Sequence, residues 1–297
     1  TYLGLRTSKA FGARALFFTW QNLLRAYPWP FRAMEQFCFR QADYALAGNQ
    51  DAGEVLRRKG YAGALAVIPQ FGVDAGHFAP ASQGAAPADR ALRIGYAGRL
   101  VPEKGVDVLL EALAGLSWPW AAMLMGRGPA KAALQAQAQA LGIADRAEFR
   151  ESIPSHEMPA FFRAIDVFVL PSLSRPNWTE QFGRVLIEAM ACEVAVVGSC
   201  SGEIPHVIGE AGLVFPEGDA AALRAGLEQL AADEEARRRL ARAGRARVLA
   251  HFTQEHIAEQ TYRVYQAMLS SSEMGSTSES LPQSSSTDGV VRLRLRE

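Results

Sequence analysis

The stretch LRIGYAGRLVPEKGVDVLLEALAGLSWPWAAMLMGRGP, residues 92–129, contains the pattern that decides the fold. A short apolar run, Leu92–Ala97, is followed by apolar residues at helical spacing over Val106–Leu116 and by a second apolar run, Trp120–Met125. Short continuous apolar runs are typical of strands that are buried on both faces, and an intervening helix allows them to pair in parallel. The stretch therefore predicts a β–α–β unit.

The same alternation extends in both directions along the chain. Further strands are predicted at residues 147–150, 167–170, 194–198 and 213–215, and helices at 131–141, 155–164, 182–190, 220–231, 234–249 and 254–269. Residues 1–80 show strand-like runs at 15–19, 44–47 and 65–68 and helical patterns at 31–41 and 52–59. These patterns predict an α/β protein with a doubly wound parallel sheet.

Composition divides the chain into domains. Residues 1–85 supply only about three strands where a Rossmann-like domain has five or six, so they are predicted to be the second half of such a domain. Residues 86–253 form a complete one, and residues 254–269 a C-terminal helix. Residues 270–297 are rich in Ser and Thr and are predicted to be a largely disordered tail. Within it, residues 290–297 alternate apolar and charged side chains, which fits either a short strand or a frayed end.

The overall composition excludes several classes of protein. With 31 Lys+Arg and 31 Asp+Glu the formal net charge is zero, which gives no chain-wide basis for binding nucleic acid. No apolar run reaches the ~20 residues of a membrane-spanning helix. Cys38, Cys192 and Cys200 form no C-x-x-C pair, and a reducing, cytosolic setting is the simplest interpretation. The five histidines are scattered, so no metal site is predicted.

The loop that follows the first strand combines features that suit a diphosphate. Gly98 and Arg99 begin it, Lys104 ends it, and a helix N-terminus with free N–H groups follows. In open α/β sheets, ligands bind at the C-terminal ends of strands. The alternative is an ordinary loop with two solvated cations. The next strand ends in Gly126-Arg127-Gly128, which either allows close approach of a ligand or is a common strand-to-helix turn.

Glu188 is the most unusual single residue of the sequence, because six of the seven residues in 185–191 are apolar. A carboxylate in a buried helix is costly without partners. Arg184, four residues earlier, would make a purely structural pair, whereas a ligand with two hydroxyl groups would give the carboxylate a binding role. Glu180 lies eight residues before Glu188, which in a continuous helix separates the two by about 12 Å, the two ends of one elongated ligand.

These stretches together resemble the nucleotide-sugar-dependent glycosyltransferases of family 4, the group 1 glycosyltransferases with the GT-B fold. The matching segments are VIPQFGVDAGHFAP, GRLVPEKG, GRGP, EQFGRVLIEAMAC and GEIPHVIGEAGLVFPEGD, within about residues 43–269. Glu180-x7-Glu188 is similar to the family's two-glutamate signature. Each segment alone is modest, and their order and spacing carry the resemblance.

The resemblance implies roles for individual residues. Arg99 and Lys104 would bind the donor diphosphate and stabilise the leaving nucleotide, and with Glu180 they are the predicted catalytic residues. Glu188 would hold the nucleotide ribose, Glu180 and the backbone at Phe182-Gly183 the donor sugar, and the segment Ser152–Pro154 the base. The full donor-binding set expected from the sequence is Gly98, Arg99, Lys104, Gly126, Arg127, Gly128, Ser152, Ile153, Glu180, Gln181, Phe182, Gly183, Val185 and Glu188.

The resemblance also implies the reaction and its setting. Transfer of a sugar from a nucleotide-diphosphate sugar would retain anomeric configuration and need no divalent metal or other cofactor. Residues 1–85 would be the acceptor side, residues 86–253 the donor side, and the helix 254–269 would return to the first domain. The enzyme would act in glycan biosynthesis in the cytoplasm, including the inner face of the membrane.

The sequence also departs from the family. Glu193 and Glu203 stand where Gly is frequent, His206 stands where an acidic residue is frequent, and the Gly-rich first strand-turn-helix is absent. The chain, which begins at Thr1, is therefore expected to be an N-terminally truncated form that binds a donor and transfers poorly. Two other functions stay open, namely a non-catalytic nucleotide-sugar-binding module and a nucleotide-sugar epimerase of the same fold.

The acceptor is the least defined partner. A glycan and a lipid-linked acceptor both occur in such a family, and the aromatic-rich segment from Phe17 to Phe39 either faces such a lipid, with peripheral membrane contact, or packs within the first domain. No nucleic-acid partner and no transmembrane segment are predicted.

Overall fold

The computed structural model describes residues 1–80 and 91–270 and divides the chain into two compact units. Among the described residues, the first unit comprises Thr1–Gly72 and helix Gln254–Ser270, and the second comprises Val73–Thr253. The predicted tail, including residues 290–297, lies outside the described residues apart from Ser270, which is helical.

The boundary between the units differs from the one expected at residues 85 and 86. The Val73 amide donates to the carbonyl of Phe252 at 2.8 Å, and the Arg163 guanidinium donates to the carbonyl of Ala79 at 2.8 Å. Residues 73–80 are therefore anchored by hydrogen bonds inside the second unit, and the boundary lies between Gly72 and Val73.

The strands are β1 Leu16–Thr19, β2 Tyr44–Ala47, β3 Ala64–Val67, β4 Leu92–Ala97, β5 Trp120–Met125, β6 Ala147–Arg150, β7 Val167–Leu170, β8 Ala195–Ser199 and β9 Leu213–Phe215. The α-helices are α1 Tyr2–Ala10, α2 Phe31–Gln41, α3 Gln50–Arg58, α4 Val106–Ala114, α5 Lys131–Ala140, α6 Met158–Arg163, α7 Arg184–Ala191, α8 Ile204–Ile208, α9 Ala220–Ala232, α10 Glu234–His251 and α11 Gln254–Ser270.

The first unit is built on a parallel sheet in the order β1-β2-β3. One core cluster contains Phe17, Leu56 and Tyr61, and a second joins Leu46 of β2 to Ile257 of α11. Because successive strand residues point to opposite faces, Ala45 and Leu46 enter different clusters and the sheet is covered on both sides. Helix α1 was not predicted, since its apolar residues are few and widely interrupted.

The second unit contains a parallel six-stranded sheet in the order β6-β5-β4-β7-β8-β9. The chain starts in the middle at β4, moves outward to β6, and then returns across β4 to build the other half, which is the strand order of a Rossmann-type domain. The switch in direction lies between β4 and β7, where Ile94 pairs with Val167. This is where such sheets open a crevice at the C-terminal ends of their strands.

Several helix ends follow from local chemistry. Asp219 and Asp233 accept hydrogen bonds from the amides of Ala222 and Ala236, each at 2.8 Å, and cap α9 and α10. The helix predicted at residues 155–164 begins only at Met158, because residues 155–157 form a 3₁₀ turn.

Two arginines of helix α10 are partly buried where it contacts other helices. Arg247 donates to the carbonyls of Val207 at 3.0 Å and His206 at 2.7 Å, and Arg245 donates to the carbonyl of Ala191. These arginines therefore tie α10 to the ends of other helices. Across the described residues, no helix combines the length and apolarity needed to span a membrane.

Candidate functional site

A cleft of about 400 Å³ opens in the second unit beside the C-terminal ends of β4 and β5. Its walls come from the two strand-to-helix loops, from the segment after β6, and from the first two turns of α7. The lining residues are Ala97, Gly98, Arg99, Met125, Gly126, Arg127, Ser152, Ile153, Ser155, Met158, Arg184, Val185 and Glu188.

The two loops on one side of the cleft are in direct backbone contact. A Cβ atom at Gly126 would lie 1.8 Å from the carbonyl oxygen of Gly98, and one at Gly128 would lie 2.1 Å from that of Leu100. The amide of Leu100 donates to the carbonyl of Arg127 at 2.8 Å. Glycine is therefore required here for the loops to pack against each other, which fixes this wall of the cleft.

Arg99 is the more available of the two cations predicted in the first loop. Its side chain is 64% exposed, and its ion pair with Glu103 is long at 3.8 Å. The backbone beneath it is held rigidly, because the buried Tyr96 hydroxyl donates to the Arg99 carbonyl at 2.7 Å. Burial raises the pKa of Tyr96, so this hydroxyl stays protonated. An exposed guanidinium on a loop held in this way suits an anionic ligand.

Glu188 lines the cleft from α7 and is only 5% exposed. Its Oε1 accepts from Arg184 Nε at 2.8 Å, the i, i+4 pair that the sequence offered as the structural alternative. Burial raises the pKa of the Glu188 carboxyl, and Arg184 opposes the rise. Because Arg184 is half exposed and lines the same cleft, the pair presents both a donor and an acceptor to a ligand.

Lys104 and Glu180 lie together outside the lining of the cleft. Lys104 Nζ is 2.5 Å from Glu180 Oε2, and the same oxygen accepts from the Ser172 hydroxyl at 2.8 Å. The ammonium also lies 5.0 Å from the ring centroid of Trp178. Both members of the ion pair are largely shielded, with side-chain exposures of 14% and 11%. The pair is therefore a preassembled charged unit that joins two loops.

Glu180 and Glu188 do not lie on one continuous helix, as the predicted separation between them had assumed. Helix α7 begins at Arg184, and Gly183 precedes it in the left-handed region at φ +76°. Glu180 therefore lies in the loop before the helix, and the separation of about 12 Å calculated for a continuous helix does not apply.

The three residues between Glu180 and helix α7 differ in their exposure to solvent. Phe182 is 5% exposed and its ring packs at 5.9 Å from that of Phe252, so its side chain belongs to the core. Gln181 is exposed, and Gly183 is buried against Leu170 and Leu186. The Phe182 side chain is therefore not available to a ligand.

The cleft brings together eight of the predicted donor-binding residues, namely Gly98, Arg99, Gly126, Arg127, Ser152, Ile153, Val185 and Glu188. The predicted residues Lys104, Gly128, Glu180, Gln181, Phe182 and Gly183 do not line it. Five lining residues were not in the predicted donor-binding set, namely Ala97, Met125, Ser155, Met158 and Arg184. The position of Met125 could have been predicted, because it ends a strand directly before the glycine turn. The position of Met158 in the cleft depends on how α6 packs.

No cluster of three or more His, Cys, Asp or Glu side chains is positioned to hold a metal ion within residues 1–80 and 91–270. The absence of a metal requirement remains a prediction.

At the mouth of the cleft, Arg127 pairs with Glu151 at 2.8 Å, and both side chains are well exposed.

Comparison with known proteins places this geometry in a family. Residues 82–247, which contain the whole cleft, match the family described as glycosyl transferases group 1. The chain belongs to this family. Over 199 residues it is 34% identical to a GDP-mannose-dependent alpha-(1-6)-phosphatidylinositol monomannoside mannosyltransferase of Mycolicibacterium smegmatis, an alignment that covers 63% of the chain and 52% of that protein.

Solved structures of similar shape are also glycosyltransferases of the GT-B fold, as the sequence predicted for this group 1 member. Sucrose-phosphate synthase from Thermosynechococcus elongatus superposes with a TM-score of 0.73 at 26% identity, covering 91% of this chain and 71% of that one. HepE from Anabaena, solved in complex with UDP, has a TM-score of 0.75 at 20% identity, covering 90% and 76%. The chain spans about half the length of the curated relatives it matches.

Proposed function

We propose that this group 1 glycosyltransferase chain binds a nucleotide-diphosphate sugar in the cleft of its second unit, for transfer to an acceptor with retention of anomeric configuration. The observation that carries the proposal is the convergence of Arg99, Glu188 and the glycine-built loops at the switch point of a Rossmann-type sheet. Ligands of such sheets bind in that crevice.

The lining offers a complementary group for each part of a nucleoside diphosphate. The exposed guanidinium of Arg99 suits the diphosphate, and the buried carboxylate of Glu188 can accept hydrogen bonds from two ribose hydroxyls. Met125, Ile153 and Met158 line the same cleft and provide apolar surface for a base.

The shielded Lys104–Glu180 pair is assigned to the sugar side of the reaction. Lys104 supplies a cation in the same loop as Arg99. Glu180 supplies a carboxylate oxygen that can accept a hydrogen bond from a sugar hydroxyl. A preorganised cation near a leaving diphosphate stabilises the charge that develops as the glycosidic bond breaks. On this basis no divalent metal is required, and Arg99 and Lys104 together take its role.

The name of one relative supports the donor class. The mannosyltransferase of Mycolicibacterium smegmatis is described as GDP-mannose-dependent, and it is 34% identical to this chain. We extend to the present chain only the class, a nucleoside diphosphate joined to a sugar. The acceptor is proposed to be a glycan or a lipid-linked molecule, and the site of action the cytoplasm.

The experiment that tests the proposal compares the chain with its Glu188→Ala variant by calorimetric titration of nucleoside diphosphates. The proposal expects micromolar to millimolar binding by the chain and at least about a tenfold loss in the variant, because a charged hydrogen bond contributes about 1.5–3 kcal/mol. Equal affinity in both proteins would contradict it. Incubation with a nucleotide sugar tests the two alternatives. An epimerised donor would favour the epimerase. Donor binding by the full-length protein without any transfer would favour a binding module.

A further inference from the structure

We infer that Glu217 is a positioning residue for the sugar side of the proposed transfer reaction. It lies in the loop after β9, does not line the donor cleft, and acts through Ser174 on a short hairpin that leads into Glu180. The inference rests on the function proposed above, and it adds to that function a residue outside the predicted set of site residues.

Glu217 accepts hydrogen bonds from one serine with both of its carboxylate oxygens. Its Oε1 accepts from the Ser174 hydroxyl at 2.7 Å, and its Oε2 accepts from the Ser174 amide at 2.5 Å. Hydrogen bonds to an ionised acceptor are stronger than those between neutral groups, and a two-point contact also fixes orientation. The carboxylate therefore joins the loop after β9 to the loop after β7.

Ser174 is the first residue of the hairpin, which spans residues 174–179. The Arg175 amide donates to the Trp178 carbonyl at 2.7 Å, and the Trp178 amide donates to the Arg175 carbonyl at 3.1 Å. At the base of the hairpin, the hydroxyls of Ser174 and Thr179 lie 3.1 Å apart. Because a hairpin this short is marginally stable by itself, the contacts at its base determine where it lies.

The hairpin carries or precedes both neighbours of the Lys104 ammonium. The ring centroid of Trp178 lies 5.0 Å from Lys104 Nζ, which is within the range of cation–π attraction. Glu180 follows the hairpin directly, and its Oε2 lies 2.5 Å from Lys104 Nζ. A displacement of the hairpin would therefore move the cation and the carboxylate that are assigned to the leaving diphosphate and the sugar.

The loop after β8 contacts the same segment. The buried Ser201 hydroxyl lies 3.0 Å from the Ser174 hydroxyl, and the Glu203 amide donates to the Glu180 carbonyl at 3.1 Å. Thr179 and Ser201 contribute neutral hydroxyl groups to this cluster, whereas Glu217 contributes a carboxylate. The Glu217 carboxylate is therefore the strongest acceptor in the cluster.

The groups proposed for the nucleotide have supports of their own. The Tyr96 hydroxyl donates to the Arg99 carbonyl, and Arg184 donates to the Glu188 carboxylate. Neither support passes through the hairpin. Loss of the Glu217 contact should therefore weaken binding of a ligand that carries a sugar and leave binding of the nucleoside diphosphate nearly unchanged, whereas a general loss of structure would weaken both.

The test is calorimetric titration of the full chain and of Glu217→Gln with two pairs of probes, GDP with GDP-mannose and UDP with UDP-glucose. An amide has one acceptor oxygen in place of two, so one contact with Ser174 is lost. For the pair that the chain binds, we expect affinity for the nucleotide sugar to fall at least fivefold and affinity for the nucleoside diphosphate to fall less than twofold.

Glu228→Gln is the matched control. Glu228 is half-buried like Glu217 and also accepts from a serine hydroxyl, that of Ser117 at 3.1 Å, but it does not line the cleft. This variant should change neither affinity more than twofold. Ser174→Ala, which removes the hydroxyl contact and keeps the amide contact, should show the same split as Glu217→Gln with a smaller loss.

The position of the hairpin is measured separately by the NMR signal of the Trp178 indole N–H, which Trp178→Phe assigns. Glu217→Gln should shift this signal, and Glu228→Gln should not. An unchanged signal in Glu217→Gln, equal losses for both ligands, or no loss for either would overturn the inference. If the unchanged chain binds none of the four probes, the proposed function itself is contradicted and the positioning role falls with it, whatever the indole signal shows.

Discussion

Lys104 Nζ lies 2.5 Å from Glu180 Oε2, although 76 residues separate the two in sequence. Each comes from a loop at the C-terminal end of a central strand, Lys104 after β4 and Glu180 after β7. The pair therefore joins the two halves of the second sheet at the switch point. It places opposite charges next to each other where the proposed transfer reaction needs them.

Breaking this pair on one side should be costly. Lys104→Met leaves the Glu180 carboxylate shielded, with the hydrogen bond from Ser172 as its remaining contact among the described residues. We therefore expect the free energy of unfolding, measured in urea, to fall by about 3 kcal/mol. The double variant Lys104→Met/Glu180→Gln should recover much of that loss, and the double-mutant cycle measures the coupling. Lys131→Met, which breaks an exposed pair with Glu151, is the control and should cost much less, because solvent screens exposed pairs. A coupling energy near zero would contradict the shielded pair.

Glu188 should limit stability at neutral pH. Burial raises the pKa of its carboxyl in the folded state, so ionisation is more costly folded than unfolded. Stability attributable to this group is fully present below the unfolded pKa and is lost as the pH rises through the folded pKa. Glu188→Gln should therefore raise the Tm at pH 7, by about 2–4 °C for each kcal/mol relieved, and have little effect at pH 4.

The same substitution should weaken nucleotide binding at pH 7, because a neutral amide accepts hydrogen bonds from ribose hydroxyls less strongly than a carboxylate. For the unchanged chain, affinity should fall as the pH drops through the raised pKa. Calorimetric titration between pH 5 and 8 measures both effects. If Glu188→Gln gains no stability and loses no affinity, the Glu188 carboxylate neither destabilises the folded chain at pH 7 nor binds the nucleotide.

The contact between the two loops of the cleft predicts a large effect at Gly126. An added Cβ would lie 1.8 Å from the Gly98 carbonyl oxygen, so Gly126→Ala must displace a loop. We expect a loss of about 2–4 kcal/mol in unfolding free energy and loss of nucleotide binding. Gly142→Ala is the matched control, since Gly142 also has a positive φ but nothing lies within 4 Å of its added Cβ. It should cost about 1 kcal/mol and leave binding intact. Similar behaviour of the two variants would argue against the packed loops.

Metal independence is tested by chelation. If Arg99 and Lys104 neutralise the diphosphate, excess EDTA should change nucleotide affinity less than twofold, and added Mg²⁺ or Mn²⁺ should not increase it. A tenfold gain in affinity on adding either cation, which corresponds to about 1.4 kcal/mol, would show that the two side chains do not suffice.

The sequence was sufficient for the strands that build the second sheet. Leu92–Ala97 and Trp120–Met125 were predicted with their observed bounds, because continuous apolar runs between glycine-rich turns leave few alternatives. The pair between Arg184 and Glu188 was also predictable, since it depends only on helical spacing.

The sequence did not reveal what long-range packing decides. The helical pattern begins at Phe182, yet α7 starts at Arg184 because Phe182 is buried against Phe252 and Gly183 adopts a left-handed conformation. The ion pair of Lys104 with Glu180 has no local signature in the sequence, and neither residue lines the cleft. The exposure of Trp29 likewise depends on how the loop before α2 folds.

The most direct measurement of the central claim is a thermal-shift screen of nucleoside diphosphates and their sugars against the chain, Arg99→Ala and Arg150→Ala. Arg99 is exposed and weakly paired, so its removal should change stability by less than about 1 kcal/mol. We predict that at least one diphosphate, at 100 times its Kd, stabilises the chain by about 2.7 kcal/mol. That stabilisation should be largely lost in Arg99→Ala and kept in Arg150→Ala, which removes a paired cation that does not line the cleft. A screen in which no diphosphate raises the Tm, or in which Arg99→Ala responds like the unchanged chain, would contradict a donor site in this cleft.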